Sequence, residues 1–451
     1  MKKATKLFSC MLLLTASINV QAQQRVATHV VLITVDGFRP EFYLDSTYGM
    51  HTVRHLMQQG VAAKGVDPVF PSVTYPDHTT MVTGVTPAKH GIVYNTPFEA
   101  EGQTGKWLWD YNLIKTETLW SAMQKAGRKT ACVRWPVTLN APIDYCFPEY
   151  WDYKNMKDAR PAMEAATTPR SLWKEIQDSA TGFLRPQDLN ADDNELVQDE
   201  TAARIASYLI RQYKPGFLAV HLACTDHYEH QDGRESYMVR AAVAGADRGV
   251  KSILEALNRA GITDSTLVIV TGDHGFENIY RSLSPNYLLK QNGLITDVKT
   301  GNWKAQFHSQ GGSAFLQLKD ANDQQTVQHV RTLLKNLPDS IRQYFTIVEK
   351  ELLTQIGADP NVPLALTGLK GTTFGAGTKK MIDIFKAVKG THGFFPDHKE
   401  IETGFVAVGP GLKKGIIIPK MKLMDVAPVI VKAAQIPFAP TDGKYPAAFF
   451  E

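Results

Sequence analysis

The 451-residue sequence has no marked excess of charge of either sign, no internal repeat and no low-complexity tract. Its 49 Lys and Arg residues nearly balance 45 Asp and Glu residues, and the basic residues form no run or stripe. Charge therefore does not indicate a nucleic-acid-binding scaffold. Beyond the first 22 residues, no apolar window is long enough for a transmembrane helix. A hydrophobic content of 43% is far from the composition of disordered chains and predicts a large folded core.

The first 22 residues have the pattern of a secretory signal peptide. Lys2, Lys3 and Lys6 precede an apolar stretch that begins at Leu7, and Ala22 completes a small-x-small cleavage site. We therefore expect a secreted protein, with the periplasm as the expected compartment and no membrane span.

Cysteine is scarce, and only Cys132, Cys146 and Cys224 follow the signal peptide. In an oxidising compartment one disulfide can form, and Cys132 with Cys146 is the favoured pair because both flank one short segment. Three buried thiols are an equally good interpretation.

Short apolar, β-branched runs alternate with segments of helical periodicity. This order is typical of an α/β fold whose parallel strands are covered on both faces. Helical periodicity is clear at residues 117–126, 201–213 and 236–258. Three runs lead toward an aspartate: 29–35 toward Asp36, 217–222 toward Asp226, and 266–270 toward Asp273. Because ligands bind beyond the carboxyl ends of strands in open α/β sheets, we predict one shared site for these acids.

Residues 286–380 differ in texture from the rest of the chain, being rich in glycine with a short strand at 314–318. We predict that this segment is an inserted, smaller α+β subdomain or lid. The chain then returns to the main sheet through the apolar run 405–409. The predicted catalytic core therefore comprises residues 23–285 and 381–451.

The segment from Phe70 to Gly84 contains a threonine at a predicted helix start. Pro76 fits the first turn of a helix, where its missing N–H costs nothing, so Thr74 would lie at the helix N-terminus. Free N–H groups and the helix dipole favour an anion there. The Thr74 hydroxyl is either a helix cap or a nucleophile, and from this segment alone the cap is the better interpretation.

Six side chains have the chemistry of metal ligands: Asp36, Asp226, His230, Asp273, His274 and His392. The spacing of Asp226 and His230 puts both on one face if that segment is helical. Mixed Asp and His donors suit Zn²⁺ better than Mn²⁺ or Fe. Each histidine alone is better explained as an ordinary hydrogen-bonded residue, but six donors at converging sites favour a metal centre.

Seven motifs occur in the order found in one enzyme family. They are Val35-Asp36-Gly37-Phe38-Arg39-Pro40, Pro71 to Gly84, Pro87 to Asn95, Trp135-Pro136, Asp226 with His230, Asp273-His274-Gly275, and Thr391-His392-Gly393. Together they extend over most of the chain. The sequence thus resembles the nucleotide pyrophosphatase/phosphodiesterases of the alkaline phosphatase superfamily.

The resemblance implies an alkaline phosphatase-like fold, with a central, mostly parallel sheet flanked by helices, and two Zn²⁺ ions. One ion would be held by Asp226, His230 and His392, and the other by Asp36, Asp273, His274 and the Thr74 oxygen. Thr74 would be the nucleophile that forms a phosphothreonine intermediate, and Asn95 would hydrogen-bond a phosphoryl oxygen. Three carboxylates against two Zn²⁺ leave a charge of about +1, which suits a phosphodiester.

Two positions depart from the family pattern. Glu229 stands where glycine is usual, and its carboxylate could either add negative charge to the site or point to solvent. Asp77 stands where asparagine is common, and we assign it to helix capping. His78 and His90 are interpreted as structural residues and not as metal ligands.

The segment around Arg134 and Trp135 is similar to the diesterase branch and lacks the paired Lys and Arg of a monoesterase branch. Tyr75 and Tyr153 are candidates for stacking on a nucleotide base, with ordinary packing as the alternative. We predict hydrolysis of phosphodiester or diphosphate bonds in a small-molecule substrate, with nucleotides favoured. An alkaline phosphomonoesterase or phosphonate hydrolase with the same metals is the alternative, and a non-catalytic zinc-binding protein is a third interpretation.

Overall fold

A computed structural model describes residues 26–155, 157–189 and 195–451. The predicted signal peptide, residues 1–22, lies outside the described residues. None of the helices in the described ranges combines the length and the apolar character that a bilayer crossing needs.

Strands and helices are labelled in chain order. The strands are β1 (His29–Val35), β2 (Val61–Asp67), β3 (Thr130–Val133), β4 (Tyr145–Phe147), β5 (Phe217–Leu222), β6 (Thr266–Thr271), β7 (Glu277–Leu283), β8 (Ile295–Asp297), β9 (Asn302–Trp303), β10 (Ala305–Gln310), β11 (Ser313–Leu318), β12 (Phe345–Glu349), β13 (Leu364–Gly368), β14 (Thr372–Phe374), β15 (Ile382–Thr391), β16 (Thr403–Val408), β17 (Ile416–Ile418) and β18 (Met421–Lys422). The α-helices are α1 (Glu41–Leu44), α2 (His51–Gln59), α3 (Thr74–Thr83), α4 (Pro87–His90), α5 (Leu119–Lys125), α6 (Arg160–Ala166), α7 (Arg170–Ile176), α8 (Glu195–Tyr213), α9 (Cys224–Asp232), α10 (Tyr237–Ala260), α11 (Pro285–Gln291), α12 (Gln324–Lys335), α13 (Asp339–Arg342), α14 (Lys350–Gln355) and α15 (Val426–Ala434).

The central sheet has the strand order β17-β2-β16-β6-β1-β5-β3-β4, with β18 also paired to β2. Its strands are parallel except β16, which runs antiparallel to both neighbours. Thr34 of β1 pairs with His221 of β5 and Thr271 of β6, so these three strands end level with one another. The predicted mostly parallel sheet is confirmed. The carboxyl ends of the three strands that lead to Asp36, Asp226 and Asp273 lie side by side at one end of the sheet.

Side chains of β1 alternate between two apolar layers because successive strand residues point to opposite faces. Val31, Ile33 and Val35 pack in a layer that contains residues of α2, α8 and α10. Val30 and Leu32 pack in a layer that contains residues of α3, α5 and α15. Both faces are therefore covered, which explains the continuous apolar runs of the central strands.

A four-stranded antiparallel sheet, β10-β11-β13-β12, lies within the predicted insertion. A three-stranded sheet, β14-β7-β15, combines strands from the insertion and from the segments on either side of it. The bounds at residues 286 and 380 remain a prediction. For the site, the relevant consequence is that β15 ends immediately before His392.

Candidate active site

Helix α3 begins at Thr74, as the position of Pro76 predicts. The residue before it, Val73, occupies the cap position, and no side-chain hydrogen bond caps this end of the helix. Thr74 is 7% exposed, and no hydrogen bond within the described ranges engages its hydroxyl. Because the Thr74 hydroxyl does not cap the helix, the structure favours the interpretation of Thr74 as a nucleophile over its interpretation as a helix cap.

Asn95 lies beside this helix start. Its Oδ1 accepts a hydrogen bond from the Tyr75 backbone N–H at 2.8 Å. Because a backbone N–H can bond only to the amide oxygen, this contact fixes the amide orientation and leaves the Asn95 nitrogen available as a donor.

Asp36, Asp273 and His274 form the first group of converging ligand atoms. His274 Nε2 lies 3.5 Å from Asp36 Oδ1 and 3.3 Å from Asp273 Oδ2. Asp273 Oδ1 also accepts hydrogen bonds from the backbone N–H groups of Gly37 and His274, which holds the β6 end against the β1 end.

Asp226, His230 and His392 form the second group. Asp226 Oδ1 lies 3.4 Å from His230 Nε2 and 3.5 Å from His392 Nε2. Asp226 and His230 are both on α9, one helical turn apart, as their spacing predicts.

Backbone carbonyls orient the two histidines of the second group. His230 Nδ1 lies 3.0 Å from the Gly390 carbonyl oxygen, and His392 Nδ1 lies 2.9 Å from the Ser72 carbonyl oxygen. A carbonyl can only accept, so each Nδ1 donates, and the neutral form of each ring then has its lone pair on Nε2, the nitrogen nearer Asp226. Such fixed tautomers are typical of metal-binding histidines.

The two groups lie side by side, and the chain around Thr74 contacts both. The rings of His274 and His392 stack with centroids 3.6 Å apart. The Thr74 carbonyl accepts from His78 Nδ1, which is 3.6 Å from Asp273 Oδ2, whereas Ser72 contacts His392. The geometry thus brings all six predicted donors and Thr74 into one site.

The charges of this site fit a pair of bound cations. Burial raises the pKa of Asp273 to about 7, and burial together with the neighbouring carboxylates raises that of Asp36 well above its ordinary value. Burial lowers the pKa of His392 to about 4, which keeps its imidazole neutral. Asp36 Oδ1, Asp226 Oδ1, Asp273 Oδ2 and His274 Nε2 are buried without a hydrogen-bond partner. Unpaired carboxylates beside neutral imidazoles are the donor set that a divalent transition metal requires.

Behind Thr74 lies a buried polar network that sequence reasoning missed. His221 Nδ1 lies 3.0 Å from His78 Nε2 and 3.1 Å from Thr34 Oγ1, and His221 Nε2 lies 3.4 Å from Asp36 Oδ2. Glu149 Oε2 is 3.8 Å from His221 Nε2. The network connects α3 with the ends of β1 and β5. Only the position of His221 within a strand that leads toward the site could have suggested it.

The three residues that the sequence analysis assigned to structural roles all have hydrogen-bond partners. His78 and His90 are buried and hydrogen-bonded, in agreement with their structural assignment. Asp77 does not cap α3, so that assignment was wrong. Its Oδ1 accepts from the Val69 backbone N–H at 2.9 Å, because the chain before α3 folds back along the helix.

The two candidate stacking tyrosines differ in exposure. Tyr75 is fully buried, its hydroxyl donates to Glu149 Oε1 at 2.6 Å, and its ring lies 5.2 Å from Trp107. It therefore has no free face for a base in this conformation, which favours ordinary packing. Tyr153 is half-buried and stacks against Trp109 at 6.4 Å between centroids.

The family described as type I phosphodiesterase/nucleotide pyrophosphatase matches residues 30–368, which is most of the chain. The chain belongs to this family. The resemblance inferred from the seven motifs is confirmed, and membership identifies the chain as a hydrolase of phosphodiester or diphosphate bonds.

Curated relatives match along nearly all of the chain at low identity. A bis(5'-adenosyl)-triphosphatase from Xenopus laevis is 23% identical over 428 residues, which cover 92% of this chain and 79% of the relative. An ectonucleotide pyrophosphatase/phosphodiesterase from Saccharomyces cerevisiae is 20% identical and is covered over 82% of its length. Family member 3 from Mus musculus is 22% identical over 444 residues, but the match covers only 43% of that longer protein.

Solved structures show the same fold. Human ectonucleotide pyrophosphatase/phosphodiesterase 5 superposes with a TM-score of 0.65 at 19% identity, covering 92% of this chain and 97% of the human one. An inactive variant of the murine protein in complex with AMP gives a TM-score of 0.65 at 19% identity, covering 94% and 98%. The predicted alkaline phosphatase-like α/β architecture is thereby confirmed.

Proposed function

We propose that this chain is a two-zinc phosphodiesterase/nucleotide pyrophosphatase that acts through a phosphothreonine on Thr74. The observation that carries the proposal is the convergence of two ligand groups at a helix N-terminus whose first residue has a free hydroxyl. Asp226, His230 and His392 would hold one Zn²⁺, and Asp36, Asp273, His274 and the Thr74 oxygen the other. When bound, the ions would favour the Thr74 alkoxide and neutralise charge that develops on the phosphoryl group.

The protein groups around Thr74 have distinct parts in the proposed reaction. The Thr74 oxygen attacks phosphorus in line with the leaving group, and water then hydrolyses the phosphothreonine. The Asn95 nitrogen and the Thr74 backbone N–H donate to phosphoryl oxygens, which concentrates positive dipoles where negative charge accumulates. His78 holds the Thr74 carbonyl, so it positions the nucleophile without contacting substrate.

Nucleotides are the favoured substrate class. The relatives are named for cleavage of nucleotide pyrophosphates and phosphodiesters, and a structural neighbour was solved with AMP. Tyr153 is half-buried and remains a candidate for stacking on the base. A secreted, periplasmic location and a lid formed by residues 286–380 are parts of the same proposal.

Parallel kinetic and zinc measurements test this function. We expect the zinc-loaded protein to hydrolyse bis-p-nitrophenyl phosphate in strong preference to p-nitrophenyl phosphate, and chelation by EDTA to stop turnover. Thr74→Ala should abolish turnover while the zinc content stays at two per chain. Thr83→Ala is the matched control, because it removes a buried hydroxyl from the same helix that bonds only the Thr79 carbonyl. Unchanged turnover of Thr74→Ala would remove Thr74 from the mechanism.

A further inference from the structure

Glu229 lies where the segments carrying ligands from both groups meet. It is fully buried on α9, directly before His230. A Cβ atom at Gly37, next to Asp36, would lie 2.5 Å from Glu229 Oε2. A Cβ atom at Gly390, two residues before His392, would overlap the Glu229 carbonyl oxygen. The Glu229 side chain therefore points neither to solvent nor into either ligand group, but into the seam between α9 and the loop after β1.

The partner of Glu229 in this seam is Arg39. Arg39 Nε lies 2.8 Å from Glu229 Oε1, and both side chains are fully buried. The other guanidinium nitrogens contact Glu41 at 2.7 Å, Glu235 at 3.0 Å and the Arg234 carbonyl at 2.8 Å. Arg39 thus connects the loop that follows Asp36 with α9 and with the residues just after α9.

A buried ion pair of this kind gives position more than net stability. The cost of desolvating the two charges offsets much of their attraction. Separating the two side chains would leave each buried charge without its partner, which is strongly unfavourable. The ion pair therefore holds the two segments at their native separation. Asp226 lies three residues before Glu229 and His230 one after it, so α9 cannot shift along its axis without breaking the contact.

We propose that the Arg39–Glu229 ion pair is a positioning element that sets the separation of the Asp226 group from Asp36 and thereby the zinc affinity of Asp226, His230 and His392. The proposal rests on the proposed function, since it requires that this group binds zinc. The glycine usual at this position in the family has no side chain to form such a contact.

Zinc binding to the full-length mature protein tests the proposal. Stepwise affinities are measured by competition with a chromogenic chelator, beside the unfolding midpoint of the metal-free protein. Glu229→Gln keeps the shape and removes the charge, and we expect one of the two sites to lose about 10- to 100-fold in affinity, the usual effect of losing a residue that orients ligands. Glu235→Gln is the matched control, because its side chain contacts the same guanidinium but is 58% exposed and lies outside α9. It should leave both affinities unchanged.

Glu229→Asp provides a second variant that keeps the charge but shortens the side chain. We expect an affinity between those of the wild type and Glu229→Gln, and this variant decides the question if Glu229→Gln does not fold. Unchanged affinities in the Glu229 variants, or equal losses at both sites, would overturn the positioning role. A wild-type protein that binds no zinc would instead overturn the proposed function, so the two failures are distinguishable.

Discussion

Asn95 has two separable roles, and its substitution offers a sharp test of the site. Its Oδ1 accepts the Tyr75 backbone N–H at 2.8 Å, which supports the start of α3. Its amide nitrogen is the proposed donor to a phosphoryl oxygen. Asn95→Ala removes both roles, whereas Asn95→Asp keeps an acceptor for the Tyr75 N–H and removes only the donor.

The two roles predict different magnitudes. Leaving the part-buried Tyr75 N–H without an acceptor should cost Asn95→Ala about 1–3 kcal/mol in the free energy of unfolding. Losing one donor to the transition-state oxygen should lower kcat about 100- to 1,000-fold, equivalent to about 2.7–4 kcal/mol. We expect Asn95→Asp to lose at least as much activity as Asn95→Ala, because its added charge also repels the phosphate. Its stability should remain that of the wild type.

Denaturant unfolding and kcat/KM for bis-p-nitrophenyl phosphate measure the two effects separately. Asn286→Ala is the matched control, because Asn286 Oδ1 accepts the Phe307 backbone N–H at 2.6 Å within the predicted insertion. This variant should lose stability and keep the turnover of its folded fraction. Wild-type turnover in Asn95→Asp would refute the donor role.

Three further outcomes follow from the same geometry. Removing zinc should lower the free energy of unfolding by about 4 kcal/mol per site relative to protein at a free zinc concentration 1,000 times Kd, and added zinc should restore it; equal unfolding curves with and without EDTA would contradict a resident metal. The sulfur atoms of Cys132 and Cys146 lie 2.7 Å apart on paired positions of β3 and β4, so protein purified under oxidising conditions should show one reactive thiol after denaturation, from Cys224, and three after reduction. Closing this loop should add about 3 kcal/mol to stability, and three thiols without reductant would contradict the pairing. Tyr153→Ala should raise KM for a nucleotide diester, whereas Tyr153→Phe should leave it unchanged because the ring is kept; an unchanged KM in Tyr153→Ala would remove the stacking role from Tyr153.

Much of the site could be predicted because its residues are adjacent to regular elements. Asp36 and Asp273 follow strands, and Asp226 and His230 share a helix face. The carboxyl ends of parallel strands lie at the same end of a sheet, so local sequence patterns were enough to predict that these donors lie close together. Pro76 similarly predicted that α3 begins near Thr74.

Interpretations that depended on distant partners were less successful. The Asp77 assignment to capping was wrong because its acceptor role is set by Val69, in the chain that folds back along α3. The stacking role of Tyr75 is disfavoured because Glu149 and Trp107 enclose the ring. No periodicity or motif contains these contacts, since the partners are brought together only when the sheet and its loops assemble.

The sequence by itself determined the α/β class and the three strands that lead toward Asp36, Asp226 and Asp273, and it indicated the six candidate donors and Thr74. These features depend on hydrophobic periodicity and on residue chemistry, both of which are local. Only the tertiary structure decided that Glu229 is paired with Arg39 in the seam beside α9, and that His221 joins α3 to Asp36. The direction of a buried polar or charged side chain is set by the partners that compensate its desolvation, and here Arg39 lies 190 residues from Glu229 and His78 lies 143 residues from His221.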